Sequence, residues 1–231
     1  MLLRSLWLAL FATAVAACSA GYPSRPTSDF RLRDMAKTDI DRVAEIHLQE
    51  TLLHLKTVME KLYRRNPQEW KKNGAKTMEA AVSRVFAERN FTLPGLEGRY
   101  GVEAIAAAFK EDYAGDRVAA YIVGLTTMIL SAYGDRTEFF VLDDIDPQKL
   151  HNSARNVEIA VWKLSNARSP NNELYLLSNE AEAAARNLSF EREFGKIIAE
   201  LDTMARIVST QNNRSIVRVI QNVATAMFLP I

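Results

Sequence analysis

Residues 118–133 carry no charged side chain, and the run is bounded by Asp116 before it and Gly134 after it. A bilayer span needs about 20 apolar residues, so a run this short is better satisfied as a helix enclosed by protein on every side. Such a helix has to be wrapped by others, which points to a bundle. The composition can supply the wrapping, because 48% of the 231 residues are apolar and only nine Gly and seven Pro interrupt them.

The remaining periodicity agrees. Ile40, Val43, Ala44, Leu48, Leu52, Leu55, Met59 and Leu62 share one broad face of a long first helix, with Thr38 or Asp39 as cap and Asn66-Pro67 as stop. A shorter helix runs from near Thr77 through Val82, Val85 and Phe86, and another through Ile105 and Phe109. Between them Pro94, Gly95, Gly98 and Gly101 mark a loop. Asp146-Pro147 opens a helix whose Leu150, Ala154, Val157, Val161 and Leu164 form a coiled-coil-like seam. After a loop around Ser169-Pro170-Asn171-Asn172, Asn179 and Glu182 resemble a capping box ahead of a helix carrying Phe190, Phe194, Ile197, Leu201, Met204 and Val208. Ile216, Ile220, Val223 and Met227 predict a final helix. Phe139-Phe140-Val141-Leu142 is the one strand-like stretch, read as a buried loop or an extended turn. The expected fold is all-α, a single bundle of six or seven helices over residues 34–231, with no fixed-period repeat.

The start of the chain has a different character. Arg4 is the only charge of a leader whose residues 6–15 are apolar, too few to span a bilayer, and small residues follow. Val15-Ala16-Ala17-Cys18 resembles the lipobox of bacterial lipoproteins, with Val15 where that family prefers Leu. The resemblance covers about the first twenty residues. It implies removal of residues 1–17, thioether lipidation of Cys18 and acylation of its new amino group. It also implies that Ser19, lacking the charge of an aspartate, sorts the protein to the outer membrane of a Gram-negative host. An ordinary secretory signal beside a chance cysteine is the alternative. Residues 18–33, rich in Ser, Pro and Gly at their start, suit a flexible tether. More than one acyl chain is needed for stable anchoring, and a lipoprotein carries several. Cys18 is the single cysteine, so its lipidation leaves no disulfide.

Net charge is +1 with Arg4 included, which gives no electrostatic case for nucleic acid as a partner. Nucleophile-elbow, P-loop, Cys-x-x-Cys and His-Glu-x-x-His motifs are missing, and Gly95, Gly98 and Gly101 have turn rather than dinucleotide spacing. No cofactor is expected. His47, Glu50 and His54 fall on one side of the first helix and have the chemistry to ligate a divalent metal, with His151 as a distant partner; a hydrogen-bonded polar stripe is the alternative. Asp143, Asp144 and Asp146, with Asp135 and Glu138 upstream, offer oxygen ligands without the calcium-loop spacing, and helix capping accounts for Asp146 equally well. Arg64, Arg65, Lys71, Lys72 and Lys76 cluster around Trp70, either as a contact for headgroups or an acidic partner or as a solvated loop. Asn90, Asn187 and Asn213 match the glycosylation pattern by chance.

Three function classes follow. The first is a membrane-anchored envelope lipoprotein, periplasm-facing, whose bundle is an interaction or assembly module for another envelope protein. The second is a carrier or sensor of a lipid or small apolar ligand, which requires a pocket of roughly 300 Å³ or more. The third is a metal-dependent envelope enzyme built on His47, Glu50 and His54.

Overall fold

The computed structural model describes residues 37–140, 144–179, 187–212, 215–218 and 221–231. Among them are seven helices: α1 (Asp39–Arg65), α2 (Glu69–Lys72), α3 (Met78–Phe86), α4 (Gly101–Ala108), α5 (Arg117–Ala132), α6 (Pro147–Asn166) and α7 (Ser189–Gln211). Lys37–Ile231 form one compact unit. An isolated bridge joins Arg168 and Leu174. The fold is an all-α bundle.

Four starts are capped where the sequence places them. The hydroxyls of Thr38 and Thr77 accept from Asp41 N–H and Ala80 N–H, and the carboxylates of Asp116 and Asp146 accept from Ala119 N–H and Gln148 N–H. Each satisfies a donor that the first helical turn leaves open. The uncharged run becomes α5, buried along its whole length except at Thr127 and Ser131. α1 and α4 pack on α5, α7 packs on α1, and α6 on α7. Tyr121 sits edge-on between Phe109 and Phe194 at the centre. Phe139 is fully buried in a loop; Val141 and Leu142 lie outside the described residues. No helix among the described residues is long and apolar enough to cross a membrane.

Two helix starts or extents differ from expectation. The helix announced by Asn179 begins only at Ser189, yet Asn179 still serves it: its Oδ1 accepts from Phe190 N–H at 3.3 Å and its Nδ2 donates to Glu191 at 2.8 Å. Glu182 lies outside the described residues. The expected final helix is not formed among the described residues, where 215–218 and 221–231 are irregular with one turn at 223–225. Asn222 makes that turn, its Oδ1 accepting from Ala224 N–H and its carbonyl from Thr225 N–H, a local competitor to helix. The β-branched Ile216, Val217, Val219, Ile220 and Val223 add low helix propensity. Val219 and Ile220 themselves lie outside the described residues. The main chain of Val217, Leu229 and Pro230 takes its partners from α6 instead.

Candidate functional site

His47 and His54 sit two turns apart on α1, and each faces a different carboxylate of α7. His47 pairs with Glu200, and His54 Nδ1 lies 2.9 Å from Glu193. The helices run antiparallel, so equal seven-residue steps on both sides bring the pairs into register as two rungs. His151, on α6, lies 3.5 Å from Asp202, so all three histidines are matched to α7. Glu50 is exposed and takes no part. His47, Glu50 and His54 are therefore not gathered at one point, and no group of three His, Cys, Asp or Glu able to hold a metal is present among the described residues. Burial holds the His151 imidazole below its usual range, with Arg155 adding to it, against the pull of Asp202.

The acidic stretch is divided similarly. Asp146 is the α6 cap, Asp144 accepts from Asn212 at 3.4 Å, and Asp143 lies outside the described residues. Within the basic cluster, Lys72 turns to the buried carboxylate of Glu69 at 2.7 Å, and Arg64 lies 3.8 Å from Glu60. Lys71 lies 5.5 Å above the Trp70 ring, Lys76 is exposed, and Arg65 is half-buried. Glu69 itself, which no motif marks, also receives the Arg117 N–H at the start of α5. Lys72 is exposed and ties the surface to the buried Glu69 carboxylate. Cys18, Ser19, the leader and the tether lie outside the described residues, as does Asn213.

The feature that the sequence reading missed is on α6. Gln148, Asn152 and Asn156 stand at four-residue steps, one above another on a single face. All three bond to the main chain of the irregular final segment. Gln148 donates to Val217 O at 3.1 Å and accepts from Val217 N–H at 2.8 Å. Asn156 does the same with Leu229, at 2.9 and 2.6 Å. Asn152 donates to Pro230 O at 2.8 Å and accepts from Gln148 Nε2 at 2.8 Å. Asn156 is wholly buried and Asn152 is 7% exposed, so the segment covers the amides it bonds. Each such bond is worth about 0.5–1.5 kcal/mol net of the water it replaces, which makes the row a grip of a few kcal/mol before chain entropy is subtracted.

Beside this row lies a cavity of about 760 Å³. Phe91, Tyr100, Val102, Met128 and Leu130 form its apolar wall from the bundle, Glu103, Thr127, Ser131 and Asp135 edge it, and residues 228–231 close the other side. Gly101 begins α4 in the left-handed region at φ +53°, where a side chain would be strained, and its N–H donates to Thr127 Oγ1 at 2.8 Å. That bond fixes α4 against α5 at the cavity rim. No family model matches the chain, and neither a curated protein nor a solved structure matches it.

Proposed function

We propose that the chain is a lipid-anchored lipoprotein of the bacterial outer membrane, facing the periplasm, whose helical domain is an interaction module for another envelope protein. The observation that carries the module reading is the α6 amide row, which holds an irregular segment by its main chain. Recognition of that kind suits a protein partner, because every polypeptide offers the same N–H and C=O pattern and the flanking apolar surface adds selectivity. Ile46 and Leu53, 59% and 53% exposed, add a second apolar strip on the outer side of α1. The anchor rests on the lipobox resemblance at Val15-Ala16-Ala17-Cys18.

Two measurements test the halves separately. Labelled palmitate should enter the wild-type protein in cells and be absent from Cys18→Ala; label that survives the substitution removes the anchor. Purification of the tagged protein from gently solubilised envelopes should retain a stoichiometric protein partner. A second reading, a carrier of an apolar ligand, is favoured by the cavity of about 760 Å³, which is large enough for a drug-sized molecule. Retention of a lipid with no protein in the same purification would move the weight to it. With each histidine turned to its own α7 carboxylate, no observation favours the metalloenzyme reading.

A further inference from the structure

The α6 row hydrogen-bonds to backbone groups of its occupant. Leu229 is held through both its N–H and its carbonyl, whereas Pro230, which has no N–H, is held through its carbonyl alone. The demands on the occupant are therefore a main chain outside a helix, a residue with a free N–H at the Asn156 level, and tolerance of proline at the Asn152 level. Apolar side chains complete the fit, since Phe228 and Ile231 are half-buried against the core and line the cavity. The opposite side of the segment faces water, with Met227 79% exposed and Val217 67% exposed. Segments with little buried surface sit at the low-stability end of a fold. When this one lifts, the amides of Asn152 and Asn156 meet solvent rather than an empty interior, so they exchange one partner for another instead of being stranded.

We propose that residues 221–231 are an exchangeable occupant of Asn152 and Asn156 in the α6 amide row, and that these two amides receive a non-helical, apolar, proline-tolerant segment of a partner protein in their place. This rests on the interaction-module reading and specifies its partner. The segment is a built-in competitor. Its departure removes residues 228–231 from the cavity wall, so the incoming chain covers both the amides and the apolar floor formed by Tyr100, Val102 and Met128.

The test uses the full chain with a protease site inserted after Arg218, cleaved once the protein has folded, and a fluorescein-labelled peptide of residues 221–231. After cleavage and dialysis the native segment should leave with helical circular dichroism unchanged, and the peptide should bind with a saturable isotherm. Binding to the uncleaved chain should be at least about tenfold weaker, because its own segment competes. N-methylation of the Leu229 amide in the peptide, or Asn156→Ala in the protein, should weaken binding about tenfold, while Met227→Ala in the peptide changes nothing. A segment that cannot be dialysed away, helices that melt when it leaves, or an N-methylated peptide that binds like its parent would each overturn the proposal. So would a dimer in which residues 221–231 of one copy crosslink to α6 of another, since that assigns the row to a second copy. The module reading fails independently, by the lack of a retained protein in the envelope purification; exchange of the peptide would then still stand.

Discussion

Replacing Asp116 by alanine should lower the stability of the helical domain by about 3 kcal/mol near pH 4–5, measured by denaturant unfolding. Asp116 has no exposed surface, and it holds three groups at once. Its Oδ1 caps α5 through Ala119 N–H at 2.9 Å, and its Oδ2 receives the Tyr63 hydroxyl at 2.8 Å and Asn73 Nδ2 at 3.5 Å. Loss of an N-cap costs about 1 kcal/mol, and a buried hydroxyl left without a partner costs about 1–3 kcal/mol. Tyr63 is only 1% exposed, so water cannot easily replace the carboxyl. A loss under about 1 kcal/mol would show that α5 does not depend on this connection to α1.

The asparagine variant separates shape from charge. Burial pushes the Asp116 carboxyl up from 3.8 to about 6, against the pull of the Ala119 N–H and the Tyr63 hydroxyl, with the Glu69 carboxylate nearby adding to the rise. A folded-state value above the unfolded one means that the native protein binds this proton more tightly. The resulting stabilisation is fully present below about pH 3.8 and is lost as pH rises through about 6. A rise from 3.8 to about 6 corresponds to about 3 kcal/mol over the full pH range. Asparagine keeps one oxygen to accept from Ala119 N–H, turns an NH2 toward the Tyr63 hydroxyl, which can rotate to accept from it, and never ionises. The difference in stability between Asp116→Asn and wild type should therefore move in favour of the variant by about 2 kcal/mol between pH 4 and pH 7, the greater part of the full change. Unfolding curves at both pH values check it, and a difference independent of pH contradicts it.

The caps and α5 were legible because they depend on neighbours in sequence. Thr38, Thr77, Asp116 and Asp146 each bond to an N–H two or three residues on, so residue type and position suffice. The final segment was misread for the opposite reason. Ile216, Ile220, Val223 and Met227 match a helical period, but periodicity reports which side chains can share a face and not where the main chain finds its hydrogen bonds. Here Val217 and Leu229 find them on α6, 69 and 73 residues away in sequence. A signal for that site did exist in Gln148, Asn152 and Asn156, uncharged amides at four-residue steps bordering the seam of Leu150, Ala154 and Val157. The pairing of His47 and His54 with α7 was equally open to reading, since Glu193 and Glu200 repeat their seven-residue spacing. What the sequence could not supply was which helix lies beside which.

Gly124→Ala should destabilise the domain by about 2 kcal/mol, although alanine is the better helix former by about 1 kcal/mol. Gly124 lies inside α5 where α4 crosses it. A Cβ there would stand 2.7 Å from Gly101 O, Ile105 N and Ile105 Cγ1. Only the last belongs to a side chain that can turn aside, so relief requires the two helix backbones to separate. Gly195 in α7 is the control, because a Cβ there meets nothing within 4 Å. Gly195→Ala should then stabilise by up to about 1 kcal/mol, the full propensity gain. Opposite signs for the two substitutions in thermal or denaturant unfolding identify close helix contact as the cause; a stabilised Gly124→Ala would mean that α4 yields without cost. Separation at this crossing also strains the Gly101–Thr127 bond at the cavity rim. The same variant should thus alter whatever the cavity and the α6 row receive, while Gly195→Ala leaves it unchanged.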